Sequence, residues 1–465
     1  MTTKRKVLLT GASGSMGGEA LEVLLERTDE IDLVLIVRPS TRNKGIFRKY
    51  RDNTSVHIVW GDLYDPRVAR AAVEGVDVVL NPAALISPAA DKNPEQAYRT
   101  NTGGTRNLIE AIKAQPDGAD RIRLVSVGSV AMYGDRLPPR HAIKVGDPLK
   151  PCWGDHYALS KIAAEKAVIE SGIKHWVSLR QTFIAIPNTF SLLDPIMFHQ
   201  PLDTHMELIT SQDAGYGLAR VIDAPDELFG RVYNMSGGPA CRVVYDDYLR
   251  EMLALAGLGD YRGVLEPHWF ALQNFHCGYF ADSHLLDAFL GHFRQPLAEH
   301  YAQFRAAFPA PLRFAGRAAP TAVVKAYLRR LAEPLRWIDR DDEEHIRAFL
   351  GSRERWAKVP DWEGLTLTKH DPDEALELST PDLGQLSSRA LAELRGGECV
   401  TGAVEDRHEK IRWRCGLGHE WTASRALIEA GHWCPGCAPP PWDYESMVAH
   451  DPLLAKVHGS PSLRA

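Results

Sequence analysis

The sequence predicts a doubly wound α/β protein: a parallel sheet with helices on both faces, a smaller substrate-binding region, a helical extension and a small C-terminal module rich in cysteine and histidine. Three observations carry this expectation. A short apolar run, Val7-Leu8-Leu9-Thr10, enters a glycine turn and then an amphipathic helix. Strand-like and helix-like patterns alternate over about 190 residues. Four of the seven cysteines, Cys399, Cys415, Cys434 and Cys437, fall in the last 67 residues.

The first run leads into Gly11-Ala12-Ser13-Gly14-Ser15-Met16-Gly17-Gly18, and Glu19 to Glu26 has helical spacing, which together open a βαβ unit. Further strands are expected at Asp32 to Val37, Val56 to Trp60, Val76 to Leu80, Ile122 to Ser126 and Trp176 to Leu179. Helices are expected between them, as at Thr105 to Ala114 and Tyr157 to Ser171. From Phe190 to about Phe314 the alternation is irregular, with Ile209 to Val221 and Tyr233 to Gly238 read as returns to the sheet. Residues 316–395 read as helices, clearest at Val323 to Leu331 and Asp341 to Leu350, and Gly396-Gly397 marks a boundary. The expected organisation is therefore a main domain at 1–315, a helical extension at 316–395, the Cys/His module at 396–441 and a tail at 442–465. Within the main domain the core is placed at 1–188 and 206–240, and the substrate region at 189–205 and 241–315.

Composition narrows the partners. Hydrophobic residues make up 45% and charged residues 25%, ordinary globular values that exclude a disordered, collagenous or coiled-coil chain. The net charge of -6 (54 Lys+Arg, 60 Asp+Glu) leaves no basic excess to neutralise a phosphate backbone, so no nucleic-acid partner is expected. The apolar run after the basic N-terminus is too short for a signal peptide, and stretches such as Leu33 to Val37 fall far short of the ~20 residues of a membrane span. A soluble, cytoplasmic protein without a membrane partner is expected. An odd cysteine count spread over a long chain argues against a disulfide framework.

Gly11-x-x-Gly14-x-x-Gly17 between a strand and a helix suits a pyrophosphate, because the backbone turns tightly there and the helix N-terminus offers free N–H groups to an anion. The residue that reads the adenosine ribose lies at the end of the second strand, where an acidic side chain selects a 2′-hydroxyl and an arginine accommodates a 2′-phosphate. Arg38 stands there, followed by Ser40, Thr41 and Arg42, so NADP is favoured, with NAD as the alternative.

Tyr157 and Lys161 stand four residues apart on an expected helix and so project from one face. A nearby cation favours the phenolate of a tyrosine, whose free pKa is about 10. Ser129 follows the fifth strand, at the carboxyl edge where open α/β sheets bind ligands. With these pieces the sequence resembles the extended short-chain dehydrogenase/reductase family, of Rossmann fold. The resemblance rests on Thr10 to Gly17, Gly61-Asp62-Leu63, Asn81-Pro82-Ala83-Ala84, Asn101-Thr102-Gly103-Gly104-Thr105, Ser129 before Tyr133-Gly134, the Tyr157/Lys161 pair, and Leu179-Arg180 with Pro187. It covers residues 5 to 240 or so.

The resemblance implies roles. Ser129 orients the substrate oxygen, Tyr157 is the general acid/base, Lys161 lowers its pKa and holds the cofactor, and Asn101 supports the lysine or a water. Gly11, Ser13, Gly14, Ser15, Met16 and Gly17 would cradle the pyrophosphate, Asp62 and Leu63 flank the adenine, and Ala83 and Ala84 line the groove. A homodimer is compatible with it.

Departures from the family pattern narrow the chemistry. Dehydratases of the family carry Thr-Asp-Glu where this chain has Ser129-Val130-Ala131, so elimination is not expected. Between Gln181 and Ala219 there is no Lys or Arg to pair a nucleotide-sugar diphosphate. Phe190, Met197, Phe198, His199, His205, Trp269, Phe275, His276, Tyr279 and Phe280 could instead line an apolar pocket or form core.

At the C-terminus Cys415 and His419, with Cys434 and Cys437, give Cys-x3-His and Cys-x2-Cys pairs suited to a structural Zn²⁺ site, and they resemble small treble-clef or zinc-ribbon fingers. His432 is the alternative nitrogen ligand, and Cys399 is expected to pack nearby without ligating. A thioredoxin-type reading of Cys434-Pro435-Gly436-Cys437 requires a helix, which Pro439-Pro440-Pro441 opposes. The functional expectation is an NADP-preferring oxidoreductase acting on a secondary alcohol or ketone of an uncharged small molecule. The alternatives are an epimerase with tightly bound NAD(P), and a non-catalytic NAD(P)-binding sensor or scaffold.

Overall fold

Val7, Leu8 and Leu9 are fully buried at the middle of a seven-stranded sheet, the position their apolar run and short length suit. The computed structural model describes residues 4–136, 142–187, 194–367, 380–402, 404–438, 440 and 442–458. The strands are β1 (Arg5–Thr10), β2 (Ile31–Val37), β3 (Val56–Trp60), β4 (Val78–Asn81), β5 (Arg123–Ser129), β6 (Trp176–Gln181) and a last strand, Arg231–Met235. Their spatial order is last strand, β6, β5, β4, β1, β2, β3, and every pairing is parallel. The order reverses between β1 and β4, so the crevice at their carboxyl ends is where a ligand of such a sheet binds.

Each expected strand of the first 190 residues is present, with no end moved by more than three residues. Ile209 to Val221 differs: only Ile209–Thr210 is extended, paired with Ile184–Ala185 outside the main sheet, and Ser211–Arg220 is a helix. Thr210 caps it by accepting from the Asp213 N–H (3.1 Å). Gly215 lets it lie against helix α1 (Ser15–Leu25), since a Cβ there would sit 2.3 Å from that of Glu19. Small residues at helical spacing carry little hydrophobic signal, which is why the sequence pattern misreads this segment.

The substrate region and the helical extension share one core. Phe198, Trp269, Phe270 and Phe304 pack with Leu328 of the helix Thr321–Leu331 and with Ala332, which joins it to the helix Glu333–Asp339. The C-terminal module is three short antiparallel strands, Glu398–Cys399, Lys410–Arg414 and Glu420–Ser424, and a helix, Arg425–Glu429. It is no separate bead: Ile411, Trp413, Leu427 and Ile428 join Ile173 and Trp176 in the core that covers one face of the main sheet. Among the described residues, no helix is long and apolar enough to cross a membrane.

Candidate active site and metal site

The glycine turn is built for close approach. Gly11 adopts φ +64°, and a Cβ on it would lie 3.0 Å from the Ala83 backbone that follows β4. A Cβ on Gly17 would lie 2.3 Å from the Gly11 carbonyl oxygen, so the third glycine lets α1 start hard against the turn. The Thr10 hydroxyl donates to Asn81 Oδ1 (2.7 Å) and accepts from the Ala83 N–H (3.2 Å), fixing the ends of β1 and β4 together.

Beside this turn runs a groove of about 370 Å³. Gly11, Ser13, Gly14, Ser15, Met16, Gly17, Arg38, Asp62, Leu63, Ala83, Ala84, Ser129, Tyr157 and Lys161 all line it. Ser40 spends its hydroxyl on capping the helix Thr41–Phe47, accepting from Asn43 N (3.1 Å), while Arg38 and Arg42 make no ion pair among the described residues. The sequence reading missed Thr100, Gln181, Thr182 and Ile184, which topology brings to the groove from positions just outside the quoted motifs. Gln181 Oε1 is a buried acceptor without a hydrogen-bond partner among the described residues, the kind of group that a ligand N–H or O–H satisfies.

At one end of the groove Asp155 caps the helix His156–Ile169 by accepting from Ala158 N (2.7 Å), and Tyr157 and Lys161 follow on one face of it. Lys161 Nζ donates to the Val127 carbonyl (2.7 Å) and lies 6.0 Å from the Tyr157 ring centroid. Burial lowers the Lys161 ammonium to about 8, against the opposing pull of Glu165. Burial also raises Tyr157 to about 12, although a hydrogen bond with Ser129 works the other way. The expected lowering of the tyrosine by its lysine is therefore absent here: the ammonium points at a carbonyl, and desolvation of the phenol dominates.

Asn101 is placed differently from expectation. It is buried outside the groove, accepting from Leu85 N (2.8 Å) and donating to Leu85 O (2.9 Å) and Ser160 Oγ (2.8 Å). It ties the loop after β4 to the helix His156–Ile169 and makes no hydrogen bond to Lys161. None of the described aromatic and histidine candidates for an apolar pocket lines the groove either. Met197, Phe198, Trp269 and Phe275 pack in the second core or against it, Phe280 in a small cluster with Val130 and Tyr133, and His205 stacks on Tyr279 (4.9 Å). His199 bonds Glu333 (2.6 Å), and His276 stacks on Phe275 (5.0 Å) and pairs with Asp155 (3.2 Å). Phe190 lies outside the described residues. Beyond the expected cofactor positions, apolar side chains at the groove include Leu85, Ile86 and Ile184; Phe183 and Ile186, neighbours of Ile184 in sequence, are exposed.

Comparison with known proteins decides the family. Residues 7–234 match the NAD dependent epimerase/dehydratase family, the stretch that builds the sheet and the groove. They belong to that family. The chain is 29% identical over 172 residues to a 3 beta-hydroxysteroid dehydrogenase/Delta 5-->4-isomerase of Mycobacterium tuberculosis, covering 35% of this chain and 42% of that protein. It is 31% identical over 136 residues to a D-erythronate dehydrogenase of Cupriavidus necator, covering 29% and 41% respectively. The chain thus spans about two-fifths of the length of these relatives. In fold it is similar to a dTDP-glucose 4,6-dehydratase from Bacillus anthracis solved with NAD (TM-score 0.52, 17% identity, 66% of this chain and 99% of that one). It is likewise similar to WbmH of Bordetella bronchiseptica solved with NAD+ (TM-score 0.51, 22% identity, 66% and 98%).

Outside the epimerase/dehydratase-family domain, Cys415, His419, Cys434 and Cys437 bring their ligand atoms within 4.8 Å of one another. Tetrahedral Zn²⁺ with Zn–S of about 2.3 Å and Zn–N of about 2.0 Å demands edges near 3.8 Å between sulfurs and near 3.6 Å from nitrogen to sulfur. The Cys415 and Cys437 sulfurs are 3.7 Å apart, and His419 Nδ1 stands 3.6, 3.3 and 3.7 Å from those of Cys415, Cys437 and Cys434. The donor set and spacing fit the ion. His432 does not ligate, because its Nε2 donates to Glu165 (2.9 Å). Cys399 stands apart, with its thiol on the Thr401 carbonyl (2.8 Å). Cys434 to Cys437 is a turn closed by Cys437 N–H to Cys434 O (3.1 Å), and the next described helix starts only at Tyr444, so no helix dipole serves a redox thiol pair.

A single zinc per chain is expected, with Cys415, Cys434 and Cys437 shielded from a thiol reagent until a chelator is added. Thiol titration with and without chelator checks this, and equal reactivity in both would refute it.

Proposed function

We propose that the chain is an NADP-preferring oxidoreductase that interconverts a secondary alcohol and a ketone on an uncharged, partly apolar small molecule. The observation that carries the reading is the convergence of Ser129, Tyr157 and Lys161 on the groove that also holds the Gly11 to Gly17 turn. A bound nicotinamide cofactor supplies or accepts the hydride. Gly14, Ser15 and the start of α1 would hold its pyrophosphate, Arg38 and Arg42 a 2′-phosphate, and Lys161 the nicotinamide ribose. Ser129 holds the substrate oxygen, and Tyr157 gives it a proton in reduction or takes one in oxidation. A phenol held near 12 keeps that proton until charge develops on the substrate oxygen, so the transfer is coupled to hydride movement.

Substrate class follows from the mouth. Ile86, Phe183, Ile184 and Ile186 are apolar, and residues 181–219 supply no cation for a phosphorylated group. The mycobacterial relative is named for a hydroxysteroid, which agrees with an alicyclic alcohol of this kind. A same-site epimerase also fits the family. Incubation of the protein and NADPH with alicyclic ketones separates the two: stoichiometric loss of reduced-nicotinamide absorbance supports the reductase, and isomerisation without loss supports the epimerase.

The cofactor preference has its own test. Arg38→Ala should weaken NADPH binding about 10- to 100-fold, the equivalent of the ~1.5–3 kcal/mol of hydrogen bonds to a charged group, and leave NADH within about twofold. An unchanged ratio of the two dissociation constants would show that Arg38 plays no part in selection.

The pH dependence follows from Lys161. Its ammonium is the form that would donate to the ribose hydroxyls, and that form is lost as pH rises through about 8. The rate should therefore fall on the alkaline side with an apparent pKa near 8, and Lys161→Met should remove that limb together with most of the activity. A rate still rising above pH 9 or so would contradict this assignment.

A further inference from the structure

The helix that carries Tyr157 and Lys161 carries Glu165 one turn further along the same stripe. Glu165 is buried and accepts from Arg180 twice (Nε to Oε2 3.1 Å, Nη2 to Oε1 2.6 Å) and from Ser178 (2.8 Å). Gly128, between the Val127 carbonyl that receives Lys161 and the Ser129 hydroxyl, lies directly against this pair. A Cβ on it would be 3.2 Å from Arg180 Cγ and 3.4 Å from Glu165 Oε2.

The pair is completed from outside the reductase domain. His432 donates to Glu165 Oε1 (2.9 Å), and the Ala430 carbonyl accepts from Arg180 Nη2 (2.6 Å). Both residues sit between the module's helix Arg425–Glu429 and its ligand Cys434. Gly431 (φ +91°) packs so closely on the loop before the catalytic helix that a Cβ would be 2.1 Å from Asp147 O. At the far end of the same helix Glu170 accepts from the module's Ser424 N–H (2.9 Å) and pairs with Lys410 (2.9 Å).

We infer that the metal-folded module is a brace for the catalytic helix, and that His432 is a positioning residue which acts through Glu165 and Arg180 on Lys161, Ser129 and Tyr157. The segment 430–434 has almost no regular structure of its own and leads straight into the metal ligands, so the ion's hold on Cys434 fixes where Ala430 and His432 stand. Loss of the metal frees both contacts, leaves Glu165 and Arg180 each short of a partner inside the domain, and loosens the helix where the groove needs it rigid. Metal occupancy of the module thereby sets the competence of a site built from other parts of the chain. The role given to Tyr157 and Lys161 rests on the proposed oxidoreductase reading; the mechanical coupling does not.

The test uses the full chain in four forms: zinc-loaded, chelator-stripped, His432→Ala and His432→Gln, the last retaining a side-chain N–H for Glu165. Amide hydrogen exchange over residues 157–169 and 123–129 is measured first. Stripping and His432→Ala are expected to speed exchange in both segments at least about tenfold, with the zinc content of His432→Ala unchanged and His432→Gln near the unmodified chain. Acceleration confined to residues 398–438 in the stripped protein, or none in His432→Ala, overturns the brace. Turnover is measured second: His432→Ala should lower kcat about tenfold with KM little changed, and His432→Gln should restore it. Should no ketone or alcohol turn over while the exchange coupling holds, the oxidoreductase reading fails and the brace stands.

Discussion

Tyr157→Phe is expected to lower turnover by about three orders of magnitude while NADPH still binds within about threefold. On the proposed reading the Tyr157 phenol, which lines the groove with Ser129 and Lys161, is the group that passes a proton to the substrate oxygen. Ser129 shares a hydrogen bond with it, and Lys161 is turned to the Val127 carbonyl. Burial holds the phenol near 12, so the ground state keeps its proton. The effect should appear in kcat, since the hydroxyl is needed when charge develops on the substrate rather than when it binds. Single-turnover kinetics and cofactor titration check the split. Retained turnover in the variant would pass the acid/base role to another group, and a parallel loss of NADPH binding would make Tyr157 part of the cofactor cradle.

Arg180→Met should destabilise the whole chain by about 3–5 kcal/mol, the usual cost of leaving one member of a buried ion pair alone. Arg180 and Glu165 are both essentially inaccessible, and the guanidinium also serves Tyr133 (2.7 Å) and the Ala430 carbonyl (2.6 Å). Burial alone would raise the Glu165 carboxyl, but Arg180 and His432 overcome it and hold it well below the ordinary carboxylate range. Its stabilising contribution is thus fully present at neutral pH and is lost as pH falls below that range. Denaturant midpoints for Arg180→Met and for the double variant Glu165→Met/Arg180→Met test this. The double should recover a large part of the loss, because no charge is then stranded, and equal losses would show that the pair is not coupled.

Much of the site was legible because its chemistry is local in sequence. The Gly11 to Gly17 turn, the Tyr157/Lys161 spacing and Ser129 after β5 are each set within a few residues, and the sheet then carries them to one groove. The four metal-site side chains were legible for the same reason, as two short pairs whose spacing a tetrahedral ion demands. The substrate region was not. His, Phe and Trp have the same composition in a pocket as in a core, and only packing shows that Phe198 and Trp269 are core while Ile86 and Ile184 face the groove. Asn101 is expected to support the lysine or a water; its hydrogen bonds among the described residues go to the Leu85 backbone and Ser160, contacts that depend on where the loop after β4 folds.

His432 marks the division most clearly. From sequence it is a spare ligand two residues before Cys434; in the fold it is the module's handle on Glu165, a residue 267 positions away. By itself the sequence determined the alternation that makes the sheet, the glycine turn, the Tyr157/Lys161 spacing and the Cys/His pairs, because each depends on backbone geometry over one or two turns of chain. Tertiary structure alone decided which carboxylate the buried Arg180 meets, which apolar side chains border the groove, and that the C-terminal module leans on the helix His156–Ile169. Those are contacts between segments hundreds of residues apart, selected by the burial of charge and apolar surface rather than by any local pattern.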